Sequence, residues 1–143
     1  MRGGFTLIEI TIVLALFIVA GYFTLPLGIE SYRNYILGAE IRNILSVLRR
    51  AESLAMSNTY QSRFGVSFQS EQYVLFKGDN YAGRDQLFDE IYAMSPGVIV
   101  SSTPEVVFST ISGRPSVATS TITLLNPLHS QTLNINSEGT ILW

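Results

Sequence analysis

The sequence has no cysteine, one histidine, and only 14% charged residues among 143. Without cysteine there is neither a disulfide nor a thiolate metal site, and redox chemistry says nothing about the compartment. His129 stands alone beside Pro127, so a histidine metal cluster lacks a second ligand and a serine triad lacks an evident partner. No glycine-rich phosphate cradle occurs, and no cofactor is implied. A formal net charge of -2 and a pI near 5.3 leave no basic footprint for nucleic acid, because Arg63, Lys77, Arg84 and Arg114 are scattered between acids. Against so little charge stand 47% hydrophobic residues, so part of the apolar content belongs in lipid or in an assembly.

That content is concentrated at the start. Residues 5–29 carry one charge, Glu9, and about 25 helical residues reach roughly 37 Å, enough for a hydrocarbon core of about 30 Å. Arg2 and the initiating amine precede the run, which by the positive-inside bias keeps the N-terminus cytoplasmic. A secretory signal peptide cut near Ala20-Gly21 is the competing reading. Against it stand Glu9 and a helical pattern that continues beyond Gly21. Past Pro26 and Gly28, expected as a weak spot, the residues Leu37, Ile41, Ile44, Leu48, Ala51 and Ala55 recur at spacings of three and four. Glu40, Arg42, Asn43, Arg49, Arg50 and Glu52 are expected mostly off that stripe. The pattern predicts an amphipathic helix to about residue 57, packed on a sheet.

After Asn58 the period falls from 3.6 to 2. Phe64, Val66 and Phe68 alternate with other residues and residues 73–76 follow a short polar turn, which reads as a hairpin. Further strands are expected over 97–101, 105–109, 119–125, 132–136 and 140–143, punctuated by Gly113-Arg114-Pro115, Asn126-Pro127 and Glu138-Gly139. The longest polar interruption, residues 78–90, gathers Asp79, Asn80, Asp85, Asp89 and Glu90. These are oxygen ligands of the type calcium takes, but their spacing fits no EF-hand. The expected class is α+β, with strands antiparallel and laid against the helix.

Gly4-Phe5-Thr6-Leu7-Ile8-Glu9, with Arg2 before it and an apolar helix after it, closely resembles the leader of type IV pilins and type II secretion pseudopilins. Three later segments narrow the resemblance: Arg49-Arg50-Ala51-Glu52-Ser53-Leu54-Ala55, Val107-Phe108 with Gly113, and Leu133-Asn134-Ile135-Asn136-Ser137-Glu138-Gly139. Together they look like the H-type minor pseudopilins and their minor-pilin relatives (GspH/FimT-like). The missing cysteine pair favours a pseudopilin or minor subunit over a major pilin, while the four-residue leader is shorter than the family pattern.

The resemblance implies a pilin-like fold, a long N-terminal helix with a membrane-spanning half and an amphipathic half packed on an antiparallel sheet. It implies a leader over 1–4, a membrane and filament-core helix over 5–29 and a globular domain over 30–143. A prepilin peptidase would cut between Gly4 and Phe5 and methylate the Phe5 amine. Glu9 would then pair with the amine of a neighbouring subunit, and Pro26 would be the family's loosening point. The expected partners are other pilin or pseudopilin subunits, the peptidase, the inner membrane and a secretion or pilus assembly platform, with nucleic acid not among them. The chain would be a structural subunit, not an enzyme, held in the inner membrane with its C-terminal domain outside. A binding subunit at a filament tip, contacting secreted substrate, a surface or DNA through Tyr81, Tyr92 or Trp143, is the other reading.

Overall fold

The computed structural model describes residues 4–102, 104–117 and 120–142, apart from the side chains of residues 23–29 and Ser102. Arg2 and Trp143, on which two expectations rest, lie outside the described residues. Contacts divide the chain into two units, Met1–Tyr35 and Ile36–Trp143. The division falls within the first helix, α1 (Leu7–Met56).

In the first unit every described side chain from Gly4 to Ala20 is exposed. Pro26 and Gly28, expected as a weak spot, carry helical backbone within an uninterrupted α1, although a proline there removes one hydrogen bond and crowds the carbonyl four residues before it. Among the described residues no helix is long and apolar enough to cross a membrane. The apolar run with described side chains, residues 7–22, is about 16 residues and roughly 24 Å of helix, short of the roughly 20 residues a crossing takes.

The second unit is α+β. All six residues of the stripe, Leu37, Ile41, Ile44, Leu48, Ala51 and Ala55, are buried, none exposed by more than 1%. Full burial of each large one stabilises by about 1.5–3 kcal/mol. Glu40, expected off the stripe, is equally buried, because it lies three residues from Leu37 and four from Ile44 on the same face. The helix stops where Asn58 turns left-handed, at φ 51°, the conformation that helix-ending residues adopt. Two amides cap the last turn: those of Asn58 and Ile111 both donate to Ala55 O, each at 3.0 Å.

Strands β1 (Phe64–Phe68), β2 (Gln72–Lys77), β3 (Glu90–Ala93) and β5 (Glu105–Phe108) form one antiparallel sheet in the order β3-β2-β1-β5. Strands β4 (Ile99–Ser102), β6 (Ser120–Leu125), β7 (Ser130–Ile135) and β8 (Ile141–Leu142) form a second, in the order β4-β6-β7-β8. A single sheet was expected, and two are found. The chain passes between the sheets after β3, after β4 and after β5; at the second crossing stands Pro104, which cannot donate to a ladder and whose carbonyl accepts from Phe68 N at 2.8 Å. Strand β3 had no counterpart in the sequence reading, because its four residues alternate half-buried and exposed with an acid in first place. That acid is tied down: Arg50 donates to both Glu90 oxygens, at 2.7 and 3.0 Å.

The core joins α1 to both sheets through Phe64, Val66, Leu75 and Phe108 of the first and Ile122, Leu124, Leu133 and Ile135 of the second. One position admits no side chain at all. A Cβ on Gly65 would stand 2.7 Å from Phe76 Cζ and 2.7 Å from the Val106 carbonyl oxygen, and the latter is backbone of a paired strand. Gly65→Ala should therefore destabilise the fold by about 1–3 kcal/mol, the usual range for overpacking, read as a lower Tm of the full chain in detergent.

A second test uses pH. Burial pushes the Glu52 carboxyl above its ordinary range, opposed by a smaller pull from Arg49. A folded-state pKa above the unfolded one means that ionised Glu52 costs stability at neutral pH, and that the cost disappears as pH falls and both states are protonated. Glu52→Gln should raise Tm at pH 7, and the gain over wild type should vanish below about pH 4. A gain that persists unchanged at low pH would assign the effect to packing instead of charge.

Candidate processing and assembly site

At the N-terminus the helix begins immediately after Thr6, and the reason is local. The backbone amide of Thr6 donates to Glu9 Oε2 at 3.0 Å, and the amide of Glu9 donates to Thr6 Oγ1 at 3.3 Å. This is a reciprocal capping box, which satisfies two of the amides a helix start leaves unpaired. The Thr6 hydroxyl adds a third contact, to Glu9 Oε2 at 3.0 Å. Its sequence signal is Thr6-Leu7-Ile8-Glu9 itself, the T-x-x-E pattern ahead of an apolar run, which the expectation of an intersubunit charge pair leaves unused.

The cap fixes what lies on either side of it. Gly4 and Phe5 are outside the helix and exposed, Phe5 by 84%. The bond between them is thus non-helical and exposed. A Cβ on Gly4 would meet nothing within 4 Å, so any demand for glycine there comes from a partner and not from crowding in this chain. On the helical side, Phe5, Glu9, Ile10, Val13, Leu14 and Phe17 border one shallow apolar depression. Glu9 is its carboxylate, and only Oε2 is engaged by Thr6.

The three later segments that carried the resemblance meet at the far end of α1. A Cβ on Gly113 would lie 2.6 Å from Met56 Cγ, and one on Gly139 would lie 2.9 Å from both Glu52 Oε1 and Gly113 O. Both glycines also hold positive φ, 66° and 89°. Arg114 Nη2 bridges the same two turns to Glu138 Oε2 at 2.8 Å. These motifs therefore have a packing role: two turns lie flush on the last turns of the helix.

The other candidate residues are occupied within the fold. In the loop after β2, Asp79 pairs with Arg63 at 3.5 Å, Asp85 with Lys77 at 3.6 Å and Asp89 with Arg84 at 2.8 Å. Asn80 Oδ1 accepts from Gly83 N, and among the described residues no three acidic or histidine side chains gather as a metal site. Tyr81 lies under the Arg84 guanidinium, 3.7 Å from its ring centroid, and packs edge-on against Phe76. Tyr92 stacks on Tyr73 and donates to Glu90 Oε2 at 2.7 Å. Each is half-buried and engaged within the fold. His129 is exposed in the β6–β7 turn, where its amide donates to Asn126 Oδ1.

Loss of the cap has a measurable signature. Thr6→Val removes the hydroxyl and should cost about 1 kcal/mol at the helix start, speeding hydrogen exchange of the amides at residues 7–10 about fivefold in detergent while Thr6→Ser preserves protection. Comparison with protein families, with curated proteins and with solved structures finds no match to this chain.

Proposed function

We propose that the chain is a minor pseudopilin or minor type IV pilin, a structural subunit that is inserted in the inner membrane, processed at the Gly4-Phe5 bond and assembled through its N-terminal helix. The observation that carries this reading is the layout of residues 4–20. An exposed non-helical Gly4-Phe5 bond leads into a capped helix whose described apolar side chains all face outward. Phe5, Leu7, Phe17 and Ile18 are each more than 70% exposed among the described residues, and that much apolar surface calls for lipid or other subunits. In sequence the apolar run goes on from Tyr22 through Ile29, which supplies the length for a crossing.

Processing by a prepilin peptidase would free an amine on Phe5, next to the residue whose own amide Glu9 already caps. Removed from water in a filament core, an ammonium and a carboxylate attract strongly, and either one alone is penalised. Glu9 has the geometry to receive a neighbour's amine, since Oε1 makes no bond inside the helix cap. The globular unit then supplies surface, and α+β packing holds it on the second half of α1.

Coexpression with a prepilin peptidase should give a chain beginning at methylated Phe5, and mass spectrometry of the mature N-terminus reads this directly. A chain that keeps Met1, or one that starts near Tyr22, overturns the proposal. Glu9→Leu should be inserted and processed normally but lost from the assembled filament, seen as failure to copurify with partner subunits.

A further inference from the structure

The outer strands of the two sheets are not equivalent. At the β5 edge the chain covers itself, since Phe108 bridges to Pro115 and Ser116 N donates to Val107 O at 2.8 Å. Strand β8 has two residues, and β4 ends at Ser102, beside residue 103, which lies outside the described residues. Strand β3 is different. It ends the order β3-β2-β1-β5 and pairs with β2 in unbroken register, and it carries neither the proline, the lysine nor the bulge that ordinarily blunts an edge.

The pairing fixes which backbone groups stay open. Met94 N donates to Glu71 O at 2.9 Å, continuing the register in which Tyr92 faces Tyr73 and Ile91 faces Val74. Residues of an antiparallel strand turn their bonds alternately to one side and the other. Glu90, Tyr92 and Met94 therefore bond β2, and the N–H and C=O groups of Ile91 and Ala93 point off the sheet. Among the described residues no other backbone group reaches them. Beside them lies a surface groove of about 440 Å³, bordered by Asn43, Ser46 and Val47 of α1 and by Ile91, Tyr92 and Ala93.

Open ladder groups take another strand, and the residues of β3 suit a second copy of β3. In antiparallel pairing about a two-fold axis at Tyr92, Ile91 of each copy stands opposite Ala93 of the other. Each such pair exchanges both of its N–H···O bonds, which satisfies every open group of the two residues. On the outer face Ile91, 63% exposed, covers Ala93. On the inner face the two Tyr92 rings become cross-strand neighbours, a favourable aromatic pairing. Glu90, the only charge in β3, falls opposite Met94, so the register sets no like charges against each other.

We propose that β3 is the contact edge of a two-fold dimer of this chain, in which the two β3-β2-β1-β5 sheets join into one. The surface lies in the second unit and does not depend on processing of the N-terminus.

The chain has no cysteine, so disulfide crosslinking reports only on introduced pairs. Ile91→Cys and Ala93→Cys both alter exposed side chains and keep the fold. The full chain carrying each is oxidised in a non-ionic detergent, alone and as an equal mixture, and read on a non-reducing gel. Opposite residues are about 5.5 Å apart between Cα atoms, within disulfide reach, whereas like positions are diagonal neighbours at about 7–8 Å. The mixture should therefore give at least about fivefold more crosslinked dimer than either variant alone. Adding Ala93→Pro to the Ile91→Cys chain removes only an outward N–H, which an edge strand tolerates, and should cut the crosslink at least about threefold. Equal crosslinking of the mixture and the single variants, or a yield that the proline leaves unchanged, overturns the proposal. No crosslink in the mixture also overturns it, in favour of a strand from a different protein at this edge.

Discussion

Everything in the second unit depends on one apolar stripe. Leu37, Ile41, Ile44, Leu48, Ala51 and Ala55 all reach full burial on a single face of α1, and both sheets are organised by having to cover it. Each sheet contributes its own alternating residues to that cover: Phe64, Val66 and Phe108 from one, Ile122, Leu124, Leu133 and Ile135 from the other. The small residues Ala51 and Ala55 at the C-terminal end of the stripe are what allow close approach there. The turns bearing Gly113 and Gly139 lie against that same end, at distances no Cβ could tolerate.

That close approach has a conformational cost as well as a packing benefit. Ile111 holds φ 66°, a left-handed value that a β-branched residue rarely adopts and that costs on the order of 1–3 kcal/mol. What holds it is its amide, which donates to Ala55 O. Helix termination, the turn after β5 and the turn before β8 are therefore one arrangement, and the half-buried Glu52 lies at its centre with its carboxyl shifted upward by desolvation.

The first unit presents a different surface. Between Gly4 and Ala20 no described side chain is covered, and the same helix that is amphipathic after residue 36 is apolar before Tyr22 apart from Glu9 and Thr11. A helix hydrophobic on every side belongs in a core or a membrane. Within it Glu9 closes the helix start with Thr6 through one oxygen, while the other takes no part in that cap.

The sequence by itself determined the elements with local causes. The stripe spacing marked the buried face of α1, alternation marked β1, β2 and the strands after Gly97, and the Gly4-to-Glu9 stretch marked the candidate site. Period and turn chemistry act over a few residues and can be read from them. The capping box is equally local, since Thr6 and Glu9 stand three residues apart. Tertiary structure decided what depends on residues far apart in the chain. That the strands would divide into two sheets, that Glu90–Ala93 would pair with β2 as an edge strand, and that Gly113 and Gly139 would meet at Glu52 all depend on chain closures with no local signal. The burial of Glu40 belongs with these: it was expected off the stripe, and its partner Ser95 comes from 55 residues away.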